Sequence, residues 1–374
     1  MAPSTDRSPG PASSWMDHEP VRGGFPDPAL LALPGLQRLR AMAEGRAPPP
    51  PIHHLFGLRP VTIGPAGVTF SIPASPWLCS DARVFHPGTA ALAADAALGS
   101  SIQVALPGGA MVATSDLSFN FLRPAGPDSG HVIARARPID VGDSLGLAEA
   151  LVEDADGHLL AHATTRCFVF RLPVSAIPGE PPAVPPVAYR TPDPHDRPAP
   201  EPGAGTWGDR STVAVIEAKR RGALPLAPCS LLLGCREPHA TEGHSGLSLP
   251  ATGWLASPSG TVYGGVLALF ADIVLTGAAT TVLPAGMICS PLDLKVQFLH
   301  PVWPDGPLLR ATAAVEHHGH RVATATGRVV DGRGTMVVRA TSSFVIVPGT
   351  TWGSLTIADD VPAHEAAGAP PATP

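Results

Sequence analysis

Charge is scarce in this sequence: Asp, Glu, Lys and Arg make up only 15% of it, and the 25 basic residues are spread out rather than gathered in a stripe. With a net charge of -6, that distribution lacks the basic footprint of a nucleic-acid-binding protein and leaves any polyanionic ligand to a local pocket. Cysteine is also sparse. The five cysteines, Cys79, Cys167, Cys229, Cys235 and Cys289, are odd in number and lack metal-ligand spacing, so they read as reduced intracellular thiols and no metal site is expected. The first thirty residues hold no basic segment followed by an apolar core, which argues against a secretory signal and for a cytoplasmic protein. The one apolar run of membrane length, residues 266–288, is broken by Asp272 and Pro284. It is expected to form a buried helix, not a membrane span.

Proline and glycine are abundant, at 46 and 39, while hydrophobic residues reach 44%, so packed units should alternate with long joints that have no core. The composition predicts a disordered tail over 1–35, an ordered unit over 36–172, a Pro-rich extended linker over 173–206, a second unit over 207–349 and a disordered tail over 350–374. Within the first unit a short helix over 36–44 ends at Gly45. Strand signals follow at 61–63 and 68–72, then a helix over about 88–104, then β-rich runs at 112–121, 132–138, 145–152 and 159–170. Asp156-Gly157 makes the last tight turn.

The second unit repeats the first. A shift of 177 residues carries Gly45 onto Gly222, Gly57 onto Gly234, Trp77-Leu78 onto Trp254-Leu255, Asp116-Leu117 onto Asp293-Leu294 and Gly157 onto Gly334. Two copies at that spacing are a duplicated domain and not a solenoid. The same shift aligns His86-Pro87-Gly88 and Asp95 with Tyr263-Gly264-Gly265 and Asp272, so each unit has a turn followed by an apolar helix bearing one carboxylate. An ionised group in such a helix is costly unless it is partnered. A helix apolar on nearly every side must be enclosed, and a curved antiparallel sheet wrapped around it is the simplest enclosure. The fold class expected is α+β.

The turn, the acid and the later run Asp293-Leu294-Lys295-Val296-Gln297-Phe298-Leu299-His300-Pro301 resemble those of tandem hotdog-fold acyl-coenzyme A thioesterases of the phenylacetic-acid-degradation type. The resemblance covers about 37–172 and 214–349. It implies two hotdog units imitating a homodimer, two such chains able to associate further, and an acyl-coenzyme A substrate. It implies no metal or redox cofactor, no nucleic acid and no membrane partner. It also implies that each site takes its turn from one unit and its acid from the other.

Transferred residue by residue, the resemblance makes the two sites unequal. The oxyanion glycine is Gly264 in the second unit, but Pro87, which has no N–H, in the first. Tyr263 stands where the family has the histidine that is His86 in the first unit. The water-positioning hydroxyl is Thr114 in the first unit and Pro291 in the second, and the position six before the turn is Ser80 or Ser257. One complete composite site is therefore expected, with Gly264 and Ser257 facing Asp95 and Thr114. The second would place Pro87 against Asp272. Gly265 and Gly88 are expected to flank the thioester, while His86 either holds the substrate or caps its helix. Tyr263 either contacts the substrate or is structural, since a phenol cannot replace imidazole at neutral pH. Arg321, with Arg123 and Lys295, either meets the coenzyme A phosphates or is solvated.

Thioester hydrolysis needs a donor for the developing oxyanion and a carboxylate to activate water or to attack, and burial raises that carboxylate's pKa toward a useful range. Two other readings remain open. One is a non-catalytic acyl-coenzyme A-binding protein, motivated by Pro87 and Tyr263; the other is a hydratase or dehydratase, for which only His86 with an acid from the other unit is available. His317 and His318, adjacent along a strand, point to opposite faces and do not suggest a metal site. The alanines of the first helix, against Leu267, Leu269 and Phe270 of the second, suggest one roomy acyl tunnel.

Overall fold

The computed structural model describes residues 15–172, 184–185, 187–200, 210–284, 287–304, 306 and 308–348. The first unit runs α1 (Gly35–Ala41), α2 (Pro51–Phe56), β1 (Arg59–Gly64), β2 (Gly67–Pro73), α3 (Ala90–Gln103), β3 (Ala110–Phe121), β4 (His131–Val141), β5 (Leu145–Glu153) and β6 (Leu159–Arg171). The second unit runs α4 (Thr212–Arg220), α5 (Pro228–Leu232), β7 (Arg236–Thr241), β8 (His244–Leu249), α6 (Gly264–Thr281), β9 (Met287–Pro291), β10 (Asp293–Phe298), β11 (Leu309–His318), β12 (Val322–Val330) and β13 (Met336–Pro348). The strands form one antiparallel sheet in the order β1-β2-β4-β5-β6-β3-β10-β13-β12-β11-β8-β7, with β9 also paired to β13.

Strands such as β4 and β12 alternate buried and exposed side chains, so each unit offers one apolar sheet face. Against those faces lie α3, packed on β2, β4 and β5, and α6, packed on β8, β11 and β12. Nearly every residue in the first half of each helix is buried, as expected for a helix enclosed by its own sheet. α6 is long and apolar enough to cross a membrane by composition alone, yet it is the core helix of its unit. The fully buried Ala91, Ala93, Ala94 and Ala97 bring α3 close to its strands.

The two units meet along β3 and β10. In that pairing Ser118 lies opposite Lys295, its own equivalent under the 177-residue shift, while Asp116 pairs Gln297 and Asn120 pairs Asp293. The register is therefore self-complementary, the signature of a pseudo-two-fold axis passing between the strands. The same symmetry recurs at the turns: Ile52 N–H donates to Ala256 O at 3.2 Å and Cys229 N–H to Cys79 O at 3.1 Å.

One expectation is corrected. Part of the proposed disordered tail, from residue 15 onward, and part of the proposed coreless linker are fastened to the body. Arg22, 3% exposed, donates to Asp193 at 2.8 Å, Glu19 at 2.7 Å and Thr191 O at 2.9 Å. Trp15 stacks edge-on to Trp254 in the second unit, with ring centroids 5.2 Å apart. Ser75 donates to His195 O at 2.6 Å and Trp77 to Arg197 O at 2.8 Å in the linker. Composition correctly shows that these segments have no core of their own. It does not show that they bond to distant surfaces. Residues 1–14 and 350–374 of the expected tails, and 173–183, 186 and 201–206 of the expected linker, lie outside the described residues.

Candidate active site

α6 begins without a side-chain cap of its own: Tyr263 occupies the N-cap position and makes no capping bond. The first N–H groups of a helix have no partner within it and attract a carboxylate. Here Asp95, on α3 of the other unit, takes that place, accepting from Gly265 N–H at 2.9 Å through Oδ2 and from the Thr114 hydroxyl at 3.0 Å through Oδ1. The arrangement is reciprocal. Asp272 on α6 accepts from Gly88 N–H at 2.7 Å through Oδ2, at the turn that opens α3, and His86 Nδ1 lies 2.6 Å from the same oxygen. Each acid thus caps the other unit's helix start, and both cradles combine residues from both units.

Gly264 and Gly88 are glycines because the acids come so close. A Cβ on Gly264 would lie 2.7 Å from Asp95 Oδ2, and one on Gly88 would lie 2.9 Å from both Asp272 Cβ and Leu269 Cα. Gly264 N–H, first in α6, makes no hydrogen bond to another described residue and lies beside the Asp95 carboxylate. Its counterpart Pro87 has no N–H to offer.

The two carboxylates differ in what surrounds them. Burial pushes the Asp95 carboxyl up to about 6, against the lowering effect of the Thr114 hydroxyl and the Gly265 N–H. Asp272 is fully buried, and its Oδ1 has no hydrogen-bond partner among the described residues. The equivalent oxygen of Asp95 is the one that Thr114 serves, and Pro291 stands at that position in the second unit. Pro291 also ends β9, so the strand that is continuous as β3 in the first unit is broken in the second.

The structure brings Asp95, Thr114, Gly264 and Gly265 together, and His86, Gly88 and Asp272 together. Ser257 is not joined to the first group: its hydroxyl lies 2.8 Å from the Ser259 hydroxyl and 3.4 Å from that of Thr261, within the turn before α6. Tyr263 donates through its hydroxyl to Leu92 O at 2.7 Å. Gly265 and Gly88 spend their N–H groups on the acids, and His86 bonds Asp272, so all three build the cradles themselves. Arg321 lies exposed at the start of the β12 hairpin and bonds neither acid. His317, His318 and His320 in that hairpin are exposed as well. Sequence reasoning missed that the second N–H of α6, not the first, holds Asp95, and it did not pair Tyr263 with Leu92. The phenol's greater length relative to imidazole was the only available signal.

The thioesterase superfamily profile matches this chain twice, over residues 83–161 and 259–338. Both stretches contain a turn and an acid-bearing helix. None of the curated proteins compared matches the sequence. Among solved structures, a tesB protein of Mycobacterium avium subs paratuberculosis is 17% identical and covers 77% of this chain and 96% of its own, with a TM-score of 0.50. The acyl-CoA thioesterase II of Mycobacterium marinum is 13% identical over 80% of this chain and 98% of its own, with a TM-score of 0.46. The PaaI protein of the Escherichia coli phenylacetic acid degradation operon is 22% identical over 33% of this chain and 86% of its own, with a TM-score of 0.31. The twofold profile match falls on the two units that the sheet joins about its pseudo-two-fold axis, so the chain is a tandem hotdog fold in which each unit carries a stretch similar to the thioesterase superfamily.

Proposed function

We propose that the protein hydrolyses an acyl-coenzyme A thioester to the free acid and coenzyme A, at the cradle formed by Asp95 and Thr114 of the first unit and Gly264 and Gly265 of the second. The observation that carries this reading is a buried carboxylate, held by two neutral donors, beside the first N–H of a helix, which bonds no other described residue. Gly264 N–H, aided by the positive end of the α6 dipole, stabilises the oxyanion that forms as the thioester carbonyl is attacked. Asp95 takes a proton from the attacking water; the C–S bond then breaks, and the proton passes to the departing thiolate. Direct attack by Asp95, with hydrolysis of the resulting anhydride, balances equally.

Release of thiol from short, long and aromatic acyl-coenzyme A substrates, followed with a thiol reagent, tests the activity. Asp95→Asn is expected to abolish turnover and Asp272→Asn to leave it within about twofold. The reverse pattern overturns the assignment, and binding without turnover by the pure protein supports a non-catalytic acyl-coenzyme A-binding role.

One observation favours a second reading: His86 Nδ1 lies 2.6 Å from Asp272, the kind of pair that moves protons at carbon in hydration and dehydration. Two features of that cradle weigh against it. Pro87 offers no N–H and Gly88 N–H is already bonded to Asp272, so the turn supplies no free donor for an enolate oxygen. Incubation with 2-enoyl and 3-hydroxyacyl thioesters, followed by the change in enoyl absorbance, separates the two chemistries.

A further inference from the structure

The two cradles differ most plainly at the residue before the turn, which is His86 in one and Tyr263 in the other. His86 puts a ring nitrogen 2.6 Å from its carboxylate. Tyr263 is buried, and its hydroxyl reaches past the equivalent point to donate to Leu92 O, one helical turn before Asp95 on α3, at 2.7 Å. Its ring also lies against the turn, since a Cβ on Gly265 would fall 2.7 Å from Tyr263 Cε1 and 2.6 Å from Ala91 O. α6 is thus pinned to α3 at two neighbouring points, the phenol on Leu92 and the Gly265 N–H on Asp95.

Building on the hydrolytic reading of the Asp95 cradle, we infer that Tyr263 is a positioning residue: it fixes the Gly264–Gly265 turn against Asp95 and occupies the place from which an imidazole would neutralise that carboxylate. The groups facing Asp95 are then Thr114 on β3, the Gly265 N–H and Tyr263 at the head of α6, and Cys167 on β6. Burial pushes the Cys167 thiol up to about 12 and raises the Tyr263 phenol well above its ordinary value, so both stay neutral at working pH. Asp95 therefore keeps its charge without a cationic partner, as a general base requires. The His86 cradle shows the alternative, in which a ring nitrogen lies 2.6 Å from the acid's Oδ2.

The test compares Tyr263→Phe and Tyr263→His in the full-length chain, reading kcat, KM, the pH profile of kcat/KM and the unfolding midpoint. Tyr263→Phe keeps the ring and removes the anchor. It is expected to lower kcat roughly tenfold, with KM within about twofold and the acid limb of the profile unmoved. Tyr263→His places an imidazole beside Asp95 and is expected to shift the acid limb to lower pH by about one unit. Wild-type kcat in Tyr263→Phe overturns the inference whether or not the histidine variant folds. Loss of stability and activity in both variants with no movement of the limb reduces Tyr263 to a packing role and also overturns it. Failure of the underlying reading looks different: Asp95→Asn would then turn over at the wild-type rate, whatever residue 263 did.

Discussion

Replacing Asp95 by Asn should make the protein inactive and, above neutral pH, more stable. Asp95 is 6% exposed, and burial raises its carboxyl from 3.8 in a free chain to about 6 in the fold. Below pH 3.8 the carboxyl is protonated in both folded and unfolded states, and its contribution to stability is fully present. As pH rises the unfolded chain loses its proton first, so stability declines until the folded carboxyl has also ionised near pH 6. The gap is worth about 3 kcal/mol. Asn removes this titration and can still accept from Gly265 N–H while facing the Thr114 hydroxyl. In urea unfolding at a series of pH values, the variant should gain on the parent by up to about 3 kcal/mol at pH 8. At pH 4 that gain should fall to a small constant offset. Hydrolysis should fall by about a factor of a thousand. A difference in stability that stays constant from pH 4 to 8 would refute the claim that the fold destabilises this carboxylate.

Thr114→Val strips Asp95 Oδ1 of its donor and should move the acid limb of kcat/KM to higher pH by on the order of one unit, because a hydrogen bond to the charged form is lost; Thr114→Ser should restore it. Gly264→Ala drives a methyl to 2.7 Å from Asp95 Oδ2 and should cut kcat/KM roughly a hundredfold or more in the thiol-release assay. Arg22→Ala leaves Glu19 and Asp193 without their shared buried partner and should lower stability by roughly 3 kcal/mol in urea unfolding, while kcat stays at the parental value.

Much of the architecture was legible because an enclosed helix and its wrapping strands demand particular residues at fixed places, and duplication prints those demands twice. Trp77 and Trp254, Asp95 and Asp272, and Gly157 and Gly334 all kept the 177-residue spacing. The inequality of the cradles was legible at Pro87, since the absence of an N–H is a property of the residue alone. What stayed hidden depends on how one helix crosses another. No periodicity along α6 says whether Gly264 or Gly265 meets a carboxylate on α3, and the choice of Gly265 leaves the Gly264 N–H without a partner among the described residues. The fastening of the N-terminal segment to the linker was hidden for a related reason. Arg22 sits in a stretch without hydrophobic pattern, and its partners Thr191 and Asp193 lie about 170 residues away.

The placement of the losses supports a crossed construction with one favoured cradle. Two prolines remove hydrogen-bonding groups: Pro87, in the first unit, removes a turn N–H, and Pro291, in the second, replaces the hydroxyl that Thr114 provides. If each unit held a site of its own, each would have suffered one loss, and neither site would be complete. Because Asp272 takes its turn from the first unit and its strand from the second, both losses fall on Asp272. The orphaned Asp272 Oδ1 is the physical trace of the second loss. Asp95 draws on the opposite halves, Thr114 from its own unit and Gly264 and Gly265 from the other, and lacks neither. Tyr263 falls on the intact side too, so the change that removes the imidazole affects the one carboxylate still equipped with a hydroxyl and a helix N–H that bonds no other described residue.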